Sequence, residues 1–446
     1  MLISFTVDNW MSFRDRSSLS MVASRERQHR ERLPYVPSVK VRLLPIAAVY
    51  GGNASGKTNL FKALNFVRHF VVNGTRPEGT IAVAPFLLSD AAEQPVRFAL
   101  EILVGDKVYD LSFAASTHEV VEEKLVEISG SRERILYHRK KGNPSPRLDA
   151  SLDNRGFLEF AFQGTRDNQL YLTNAVSQKV ERFKPVYDWF RDTLLLIAPD
   201  SRFGAFEEFF AEGSRSSILT DALQYFDTGI AKLDSEEVPF NSLQLPQEVH
   251  QGLQEALTES TALKLMNTAT EDRVIVTKRD GKLSARRLVA LHTKNDGTQI
   301  AFPMHLESDG SQRIIDLLPA FSDMSGGARA KVCVIDEIDR SLHTLVTRKL
   351  LGDYLANCGQ DSRSQLLFTT HDVLLMDQQL LRRDEMWVTE RNASGASKLI
   401  SFSEYKDVRY DKDIRKSYLQ GRLGGIPRLL LSDTFRGVVA EGEADI

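Results

Sequence analysis

The chain has 446 residues, 42% hydrophobic and 26% charged, the balance of an ordinary globular protein long enough for two or three lobes. A formal net charge of −3 and a pI near 6.4 give no general reason to expect a nucleic-acid binder, although a local basic patch would permit one. Two cysteines, Cys333 and Cys358, rule against a disulfide framework, no apolar run reaches the ~18 residues of a membrane span, and the N-terminal stretch lacks the basic and apolar regions of a signal peptide, so a soluble cytoplasmic protein with no membrane partner is expected.

Residues 2–7 alternate apolar and polar side chains and predict a first strand. Asn9-Trp10-Met11-Ser12-Phe13 then turns the chain into a second strand over 18–22. Arg25, Arg27, Arg30, Arg32, Lys40 and Arg42 form one basic cluster, and Arg132, Arg134, Arg139, Lys140 and Lys141 another; solvated loops are the simpler reading of both.

Pro45-Ile46-Ala47-Ala48-Val49-Tyr50 reads as a short buried strand, and residues 59–67 place apolar side chains at helical spacing. Between them, Gly51-Gly52-Asn53-Ala54-Ser55-Gly56-Lys57-Thr58 matches the P-loop pattern without a mismatch and identifies a nucleoside triphosphate, ATP, as the ligand. Such a loop aims backbone N–H groups and a helix N-terminus at phosphates. Lys57 would reach the β- and γ-phosphates, the Thr58 hydroxyl would ligate Mg²⁺, and Asn59 completes the binding stretch.

From about residue 95 to 162 strand follows strand, with turns at Gly105-Asp106 and Ser129-Gly130 and an exposed loop tip over 140–146. This predicts an antiparallel sheet inserted after the P-loop helix. Residues 180–265 read mainly as helices, including 217–226 and 246–257, and a hairpin follows, turning near Asp280-Gly281. No heptad pattern persists, so long coiled-coil arms are not expected.

The last third supplies partners for the P-loop. Glu307-Ser308-Asp309-Gly310-Ser311-Gln312-Arg313 opens a helix over 312–318, where a serine hydroxyl and glycine N–H groups can grip a phosphate. Met324-Ser325-Gly326-Gly327-Ala328 looks similar but lies too close to the next strand, and reads as a loop. Residues 331–335 form an apolar strand ending in Asp336-Glu337; Asp336 would hold the Mg²⁺ and Glu337 would polarise the attacking water. A third apolar strand, 364–370, delivers His371, which could donate a hydrogen bond to the γ-phosphate.

The 307–313 segment resembles the signature loop of ABC-type ATPases, with Glu307 and Asp309 departing from the transporter consensus, and Arg340-Ser341-Leu342-His343 stands in the place of the D-loop. With Asn9-Trp10-Met11-Ser12-Phe13, the P-loop, Asp336-Glu337, Thr370-His371-Asp372 and Gly421-Arg422-Leu423-Gly424-Gly425-Ile426-Pro427, the motif set resembles the soluble AAA-15/AAA-21 type ATPases, bacterial proteins with ABC/SMC/OLD-like heads. The resemblance implies an α/β ABC/SMC-type head with an inserted antiparallel sheet and a compact helical insertion. Its segments would be an N-terminal lobe over 1–180, the insertion over 181–298 and a C-terminal lobe over 299–446. It also implies that Ser308 and Gly310 serve the nucleotide of a second subunit, hence a homo-oligomer of at least two.

Many members of this group act against phage. The overall length without coiled coil is similar to the ATPases of PARIS-type defence systems, whose effector is a separate TOPRIM nuclease released by a phage-encoded trigger. The stretch after His371 is too short for a TOPRIM domain, and no nuclease-like cluster of acids or histidines stands outside the ATPase motifs, which favours an effector on another chain. A RecF- or SMC-type DNA-clamping ATPase is the second reading, and a transporter subunit the least favoured.

Overall fold

Alternation along the P-loop strand sets the layers of the molecule. In the computed structural model Ile46–Tyr50 is buried throughout. Ala47 and Val49 enter one hydrophobic core, and Ile46, Ala48 and Tyr50 enter another on the opposite face. Val332–Ile335 divides in the same way, Val332 and Val334 to the first core and Cys333 and Ile335 to the second. A strand covered on both faces belongs in the interior of a parallel sheet, and its sequence is therefore apolar without interruption.

The structure describes residues 1–446 except 131, 144, 150–151, 202–213, 244, 259–261, 267–272, 327–329, 406–412 and 426–446. The central six-stranded sheet runs Leu194–Ile197, Val332–Ile335, Gln365–Thr369, Ile46–Tyr50, Met386–Arg391, Ser397–Ser401. Its first five strands pair in parallel and the last closes an antiparallel hairpin. The three strands that the sequence singles out are thus immediate neighbours. Their carboxyl ends converge on one edge, where open α/β sheets bind ligands.

Helix Lys57–Asn73 covers one face through Leu60, Phe61, Leu64, Val67, Phe70 and Val71, a stripe at helical spacing. Beyond it lies a seven-stranded antiparallel sheet made by Leu2–Asp8, Ser17–Ser20 and the strands between Val96 and Leu148. Trp10 locks the layers, its ring centroid 5.0 Å from Phe66 and 5.3 Å from Phe98. The buried amide of Gln365 accepts from Leu2 N at 2.6 Å and donates to the carbonyls of Leu2 and Leu44 at 3.0 Å, tying the first strand to the central sheet. Helices Asp309–Gly326 and Thr344–Ala356 cover the other face. This is the α/β head with an inserted antiparallel sheet that the sequence predicts. Among the described residues the longest helices have 17 and 18 residues, and none is long and apolar enough to cross a membrane.

The middle of the chain departs from expectation. Ser214–Tyr225 and Gln247–Ala256 are helices, but Leu194–Ile197, Lys232–Val238 and Ala262–Met266, in the stretch expected to be mainly helical, are strands. Four consecutive apolar residues carry no period, and Leu194–Ile197 is fixed by pairing with Val332–Ile335. The polar Lys232–Val238 is held by its neighbour: it pairs antiparallel with Lys282–Thr293, and Glu236 meets Arg287 at 2.8 Å. The expected hairpin joins Arg273–Arg279 to Lys282–Thr293 with Asp280 and Gly281 both at positive φ, 49° and 73°, as a two-residue turn requires.

The signature helix is also longer than expected. It runs to Gly326 with Pro319 inside it, so Met324, Ser325 and Gly326 are its last turn rather than a loop, and Gly327 and Ala328 lie outside the described residues. Pro319 removes one backbone hydrogen bond, but burial of Ile314, Leu317, Leu318, Ala320 and Phe321 around it outweighs that loss. All three segments of the chain contribute strands to the central sheet. The loop tip over 140–146 lies between Arg132–Lys140 and Arg147–Leu148, with residue 144 outside the described residues, as are Ile426 and Pro427 of the last motif.

Candidate phosphate-binding site

The P-loop is shaped by contacts that leave no room for side chains at two glycines. Gly51 has φ 153°, and a Cβ there would lie 2.5 Å from both Ser55 Oγ and Thr389 Oγ1 and 2.8 Å from the Thr389 carbonyl. Gly56 has φ 119°, and its Cβ would meet Ser397 Oγ at 2.7 Å. The hairpin at the sheet edge braces the loop, Ser55 Oγ pairing with Thr389 Oγ1 at 2.6 Å and Ser397 Oγ donating to the Ser55 carbonyl at 2.6 Å, and from the N-terminal turn Ser12 Oγ accepts from Asn59 at 2.8 Å. Asn53 and Ala54 stand exposed on the rim, Ala54 at φ 59°, and Thr58 is half-buried on the first turn of the helix. Gly52 N–H donates to the Gly425 carbonyl at 2.7 Å, so the last glycine-rich motif folds onto the loop.

Lys57 is buried, and its ammonium donates to the carbonyls of Gly51 at 2.8 Å and Gly52 at 3.1 Å. Burial pulls its pKa down to about 8, partly offset by Asp336, Glu337 and Asp339. A cation so poorly solvated is primed to accept an anion.

Asp336 follows the acidic strand and is fully buried. Its Oδ1 accepts from Thr369 Oγ1 at 2.5 Å, while its Oδ2 is buried with no hydrogen-bond partner among the described residues. An acceptor left in that condition costs on the order of 1–3 kcal/mol, a penalty that a cation at this oxygen would remove. A carboxylate and the Thr58 hydroxyl are oxygen donors of the kind Mg²⁺ takes when phosphates and water complete its shell, so these two residues fit that ion and would hold it. When bound, Mg²⁺ supplies charge neutralisation on phosphate oxygens.

Glu337 adopts φ 50°, a left-handed conformation unusual outside glycine and asparagine. Its N–H donates to Thr369 Oγ1 at 2.8 Å, so one threonine hydroxyl orients both acids. The Glu337 side chain is half-exposed, and its Oε1 lies 3.9 Å from Nε2 of His371. His371 Nδ1 lies 3.3 Å from the Lys57 ammonium, and the His371 N–H donates to Asp339 Oδ2 at 3.3 Å. Burial, then the Lys57 charge, holds the imidazole below its ordinary pKa.

Lys57, Thr58, Glu337 and His371 therefore line one cavity of about 620 Å³, with the P-loop from Asn53 to Asn59 as its floor. Met11, Pro85, Phe86, Leu87, Leu88 and Arg391 also line it. Sequence reasoning quoted Met11 and Ser12 only as part of the Asn9–Phe13 motif, with no role, and it missed Pro85 to Leu88 and Arg391 together with Thr369, Thr389 and Ser397. Of these, only Thr369 carried a usable signal, as the last residue of the strand that delivers His371.

Ser308 and Gly310 are not part of this cavity. Ser308 caps the helix Asp309–Gly326, its Oγ accepting from Ser311 N–H at 3.1 Å. A Cβ at Gly310 would lie 2.9 Å from the carbonyl of Ser341, which has φ 60°, so the signature turn packs directly on the Arg340–His343 turn.

Residues 46–377 match the family described as "AAA domain, putative AbiEii toxin, Type IV TA system". No curated protein matches. Among solved structures, the chain is similar to the SMC head domain from Thermotoga maritima, at 12% identity and TM-score 0.34 over 90% of this chain and 98% of that one. It is also similar to the SmcHead bound to the C-winged helix domain of ScpA, at 12% identity and TM-score 0.38 over 90% of this chain and 97% of that one. The family match takes in the P-loop, the signature segment, the acidic pair and His371, and the chain belongs to this AAA-domain family.

Proposed function

We propose that this AAA-domain protein is a Mg²⁺-dependent ATP hydrolase of ABC type, and that it serves as sensor and switch in bacterial anti-phage defence, holding and releasing a separate toxic effector. The observation that carries the ATPase reading is the meeting of Lys57, Glu337 and His371 at one cavity floored by the P-loop. In this reading Lys57 neutralises the β- and γ-phosphates, Glu337 takes the proton of the attacking water, and His371 hydrogen-bonds the γ-phosphate.

The position of Ser308 and Gly310 outside the cavity supports a composite site completed by a second copy. Leu306, Leu345 and Leu374, 59%, 67% and 49% exposed, flank the signature, the Arg340–His343 turn and His371 respectively, an apolar fringe suited to pairing. Thr344 and Asp372 share a hydrogen bond at 2.5 Å, which brings the second and third of these segments together.

The defence role draws on the family description, which names a toxin–antitoxin system. The narrower likeness to PARIS-type ATPases points to a TOPRIM-type nuclease as effector and a phage product as trigger. ATP-bound and hydrolysed states give a switch its two positions. The test is co-expression with the adjacent genes and a phage challenge: growth arrest should require the partner gene together with intact Lys57 and Glu337. Nuclease activity or phage protection by the isolated chain would overturn the separate-effector reading.

A DNA-clamping ATPase of RecF or SMC type is the second reading, favoured by one feature. Arg25, Arg27, Arg30 and Lys40 are exposed, and Arg42 stacks over Tyr35 at 5.4 Å. Arg32 does not contribute, because it is buried against Glu385. Turnover stimulated by DNA would select this reading.

A further inference from the structure

Among the described residues, the largest fully buried side chains are two arginines, Arg382 and Arg313, and Arg313 lies on the signature helix five positions beyond Ser308. A guanidinium is costly to bury unless its donors are used. Here Nη1 donates to the carbonyls of Ala198 and Pro199 at 3.3 and 3.4 Å, and Nη2 donates to the carbonyls of Asp336 and Glu337, both at 3.4 Å. Those carbonyls follow two adjacent parallel strands, Leu194–Ile197 and Val332–Ile335, already joined there by Asp336 N–H on the Ile197 carbonyl at 2.9 Å. One planar fork thus spans both strand ends.

The clamp falls on a strained residue. Glu337 sits at φ 50°, with its N–H held by Thr369 and its carbonyl by Arg313. Such a conformation persists only when its surroundings over-determine it. Arg313 is also rigidly part of the helix whose N-terminus carries Ser308 and Gly310, so a shift of that terminus is transmitted to the fork.

We infer that Arg313 is a positioning residue that ties the seat of the signature helix to the geometry of Glu337, an inference that rests on the composite-site ATPase reading. In a pair of subunits, the signature of one copy grips the other's nucleotide, while its Arg313 acts on the base beside its own. Each site therefore reports its occupancy to the other, and turnover is cooperative in ATP.

The test is Arg313→Lys in the full chain, which keeps the charge but replaces the planar fork by a compact ammonium that cannot span both strand ends. Nucleotide Kd, from titration with a fluorescent ATP analogue, should stay within about twofold, while kcat falls about tenfold or more and the Hill coefficient drops toward one. Unchanged kcat and Hill coefficient, or a Kd that worsens in step with kcat, would overturn the inference.

Two companion variants separate causes. Arg273→Met with Asp316→Leu removes a buried ion pair of the same helix, 2.8 Å long, without touching Glu337, and should leave kcat and cooperativity near wild type; an equal loss there would mean that helix docking alone is responsible. Glu337→Gln tests the underlying reading: normal turnover in it refutes the assigned base, whereas loss in it beside normal Arg313→Lys refutes only the clamp. If Arg313→Lys does not fold, hydrogen exchange of the peptide spanning 333–340 in the wild type decides instead. ATP should increase protection there in wild type but not in Ser308→Arg, and equal protection in both would sink the inference.

Discussion

The Lys57 ammonium lies 3.3 Å from Nδ1 of His371, a residue 314 positions later in the chain. An ammonium can only donate, so Nδ1 must accept and the neutral ring carries its proton on Nε2. That nitrogen faces Glu337 Oε1 at 3.9 Å. The three side chains form one row, and the ring cannot be protonated on Nδ1 while the lysine keeps its charge. A γ-phosphate arriving at Lys57 would compete with both the loop carbonyls and His371 for the same ammonium.

This arrangement makes nucleotide binding depend on pH. The Lys57 pKa, lowered to about 8, means that the free protein begins to lose this charge as pH rises through 8. Bound phosphate favours the ammonium and raises the value again, so binding above pH 8 takes up a proton and weakens as pH climbs. Calorimetry at pH 8.5 in buffers of different ionisation enthalpy should register that uptake, with little at pH 7. In Lys57→Ala both the uptake and measurable ATP affinity should vanish. Wild-type affinity in the mutant would remove Lys57 from the site.

The loop's own geometry is open to test. Gly51→Ala forces a Cβ to within 2.8 Å of the Thr389 carbonyl, a backbone atom that cannot swing away, and it does so at φ 153°. A loss of stability on the order of 1–3 kcal/mol is expected, with loss of ATP binding. Gly352→Ala is the internal contrast, because it lies inside the helix Thr344–Ala356 with open space around it. That change should be neutral or stabilising by about 0.5–1 kcal/mol. Equal melting shifts for the two variants would contradict the crowding seen at the P-loop.

How much of this was legible beforehand depended on whether a residue acts through local sequence. The P-loop and the strands ending at Asp336 and Thr369 announce themselves because a strand buried on both faces is an unbroken apolar run, interrupted only where chemistry is needed. Ser397 and Thr389 support the loop equally firmly, yet they are single hydroxyls meeting Ser55 across sequence separations of 342 and 334. No spacing rule reaches so far. Arg313 stood inside a motif that was noticed, but its burial and its carbonyl partners exist only once two strand ends are brought together. Lys232–Val238 was hidden for another reason: its strand state is imposed by Lys282–Thr293 and not by its own polar residues.

Glu337→Gln separates binding from turnover. The amide preserves the size of the side chain but cannot take the proton of an attacking water, so ATP should bind with near-normal affinity while steady-state hydrolysis falls by about 10²-fold or more. Thr369→Val is its quieter companion. It removes the hydroxyl that donates to Asp336 Oδ1 and accepts from Glu337 N–H, and should lower turnover while retaining ATP binding. Full activity in Glu337→Gln would transfer the role of base elsewhere.

Composite sites make a prediction that no single-subunit mechanism shares. Ser308 lies outside the cavity that holds Lys57, so Ser308→Arg should leave ATP binding to the P-loop nearly intact while blocking ATP-dependent pairing and hydrolysis. Lys57→Ala should block binding in its own P-loop but leave its signature helix undisturbed. In a mixed pair of the two variants, one interface site combines the Lys57→Ala loop with the Ser308→Arg signature and is doubly defective. The other combines an intact loop with an intact signature. Preparations of either variant alone should be inactive, and mixed pairs isolated through two different affinity tags should regain part of the wild-type rate per pair, less whatever cooperation the dead site withholds. If verified mixed pairs hydrolyse ATP no faster than either parent, each P-loop must work without its neighbour's signature, and the exposed fringe of Leu306, Leu345 and Leu374 must face some other partner.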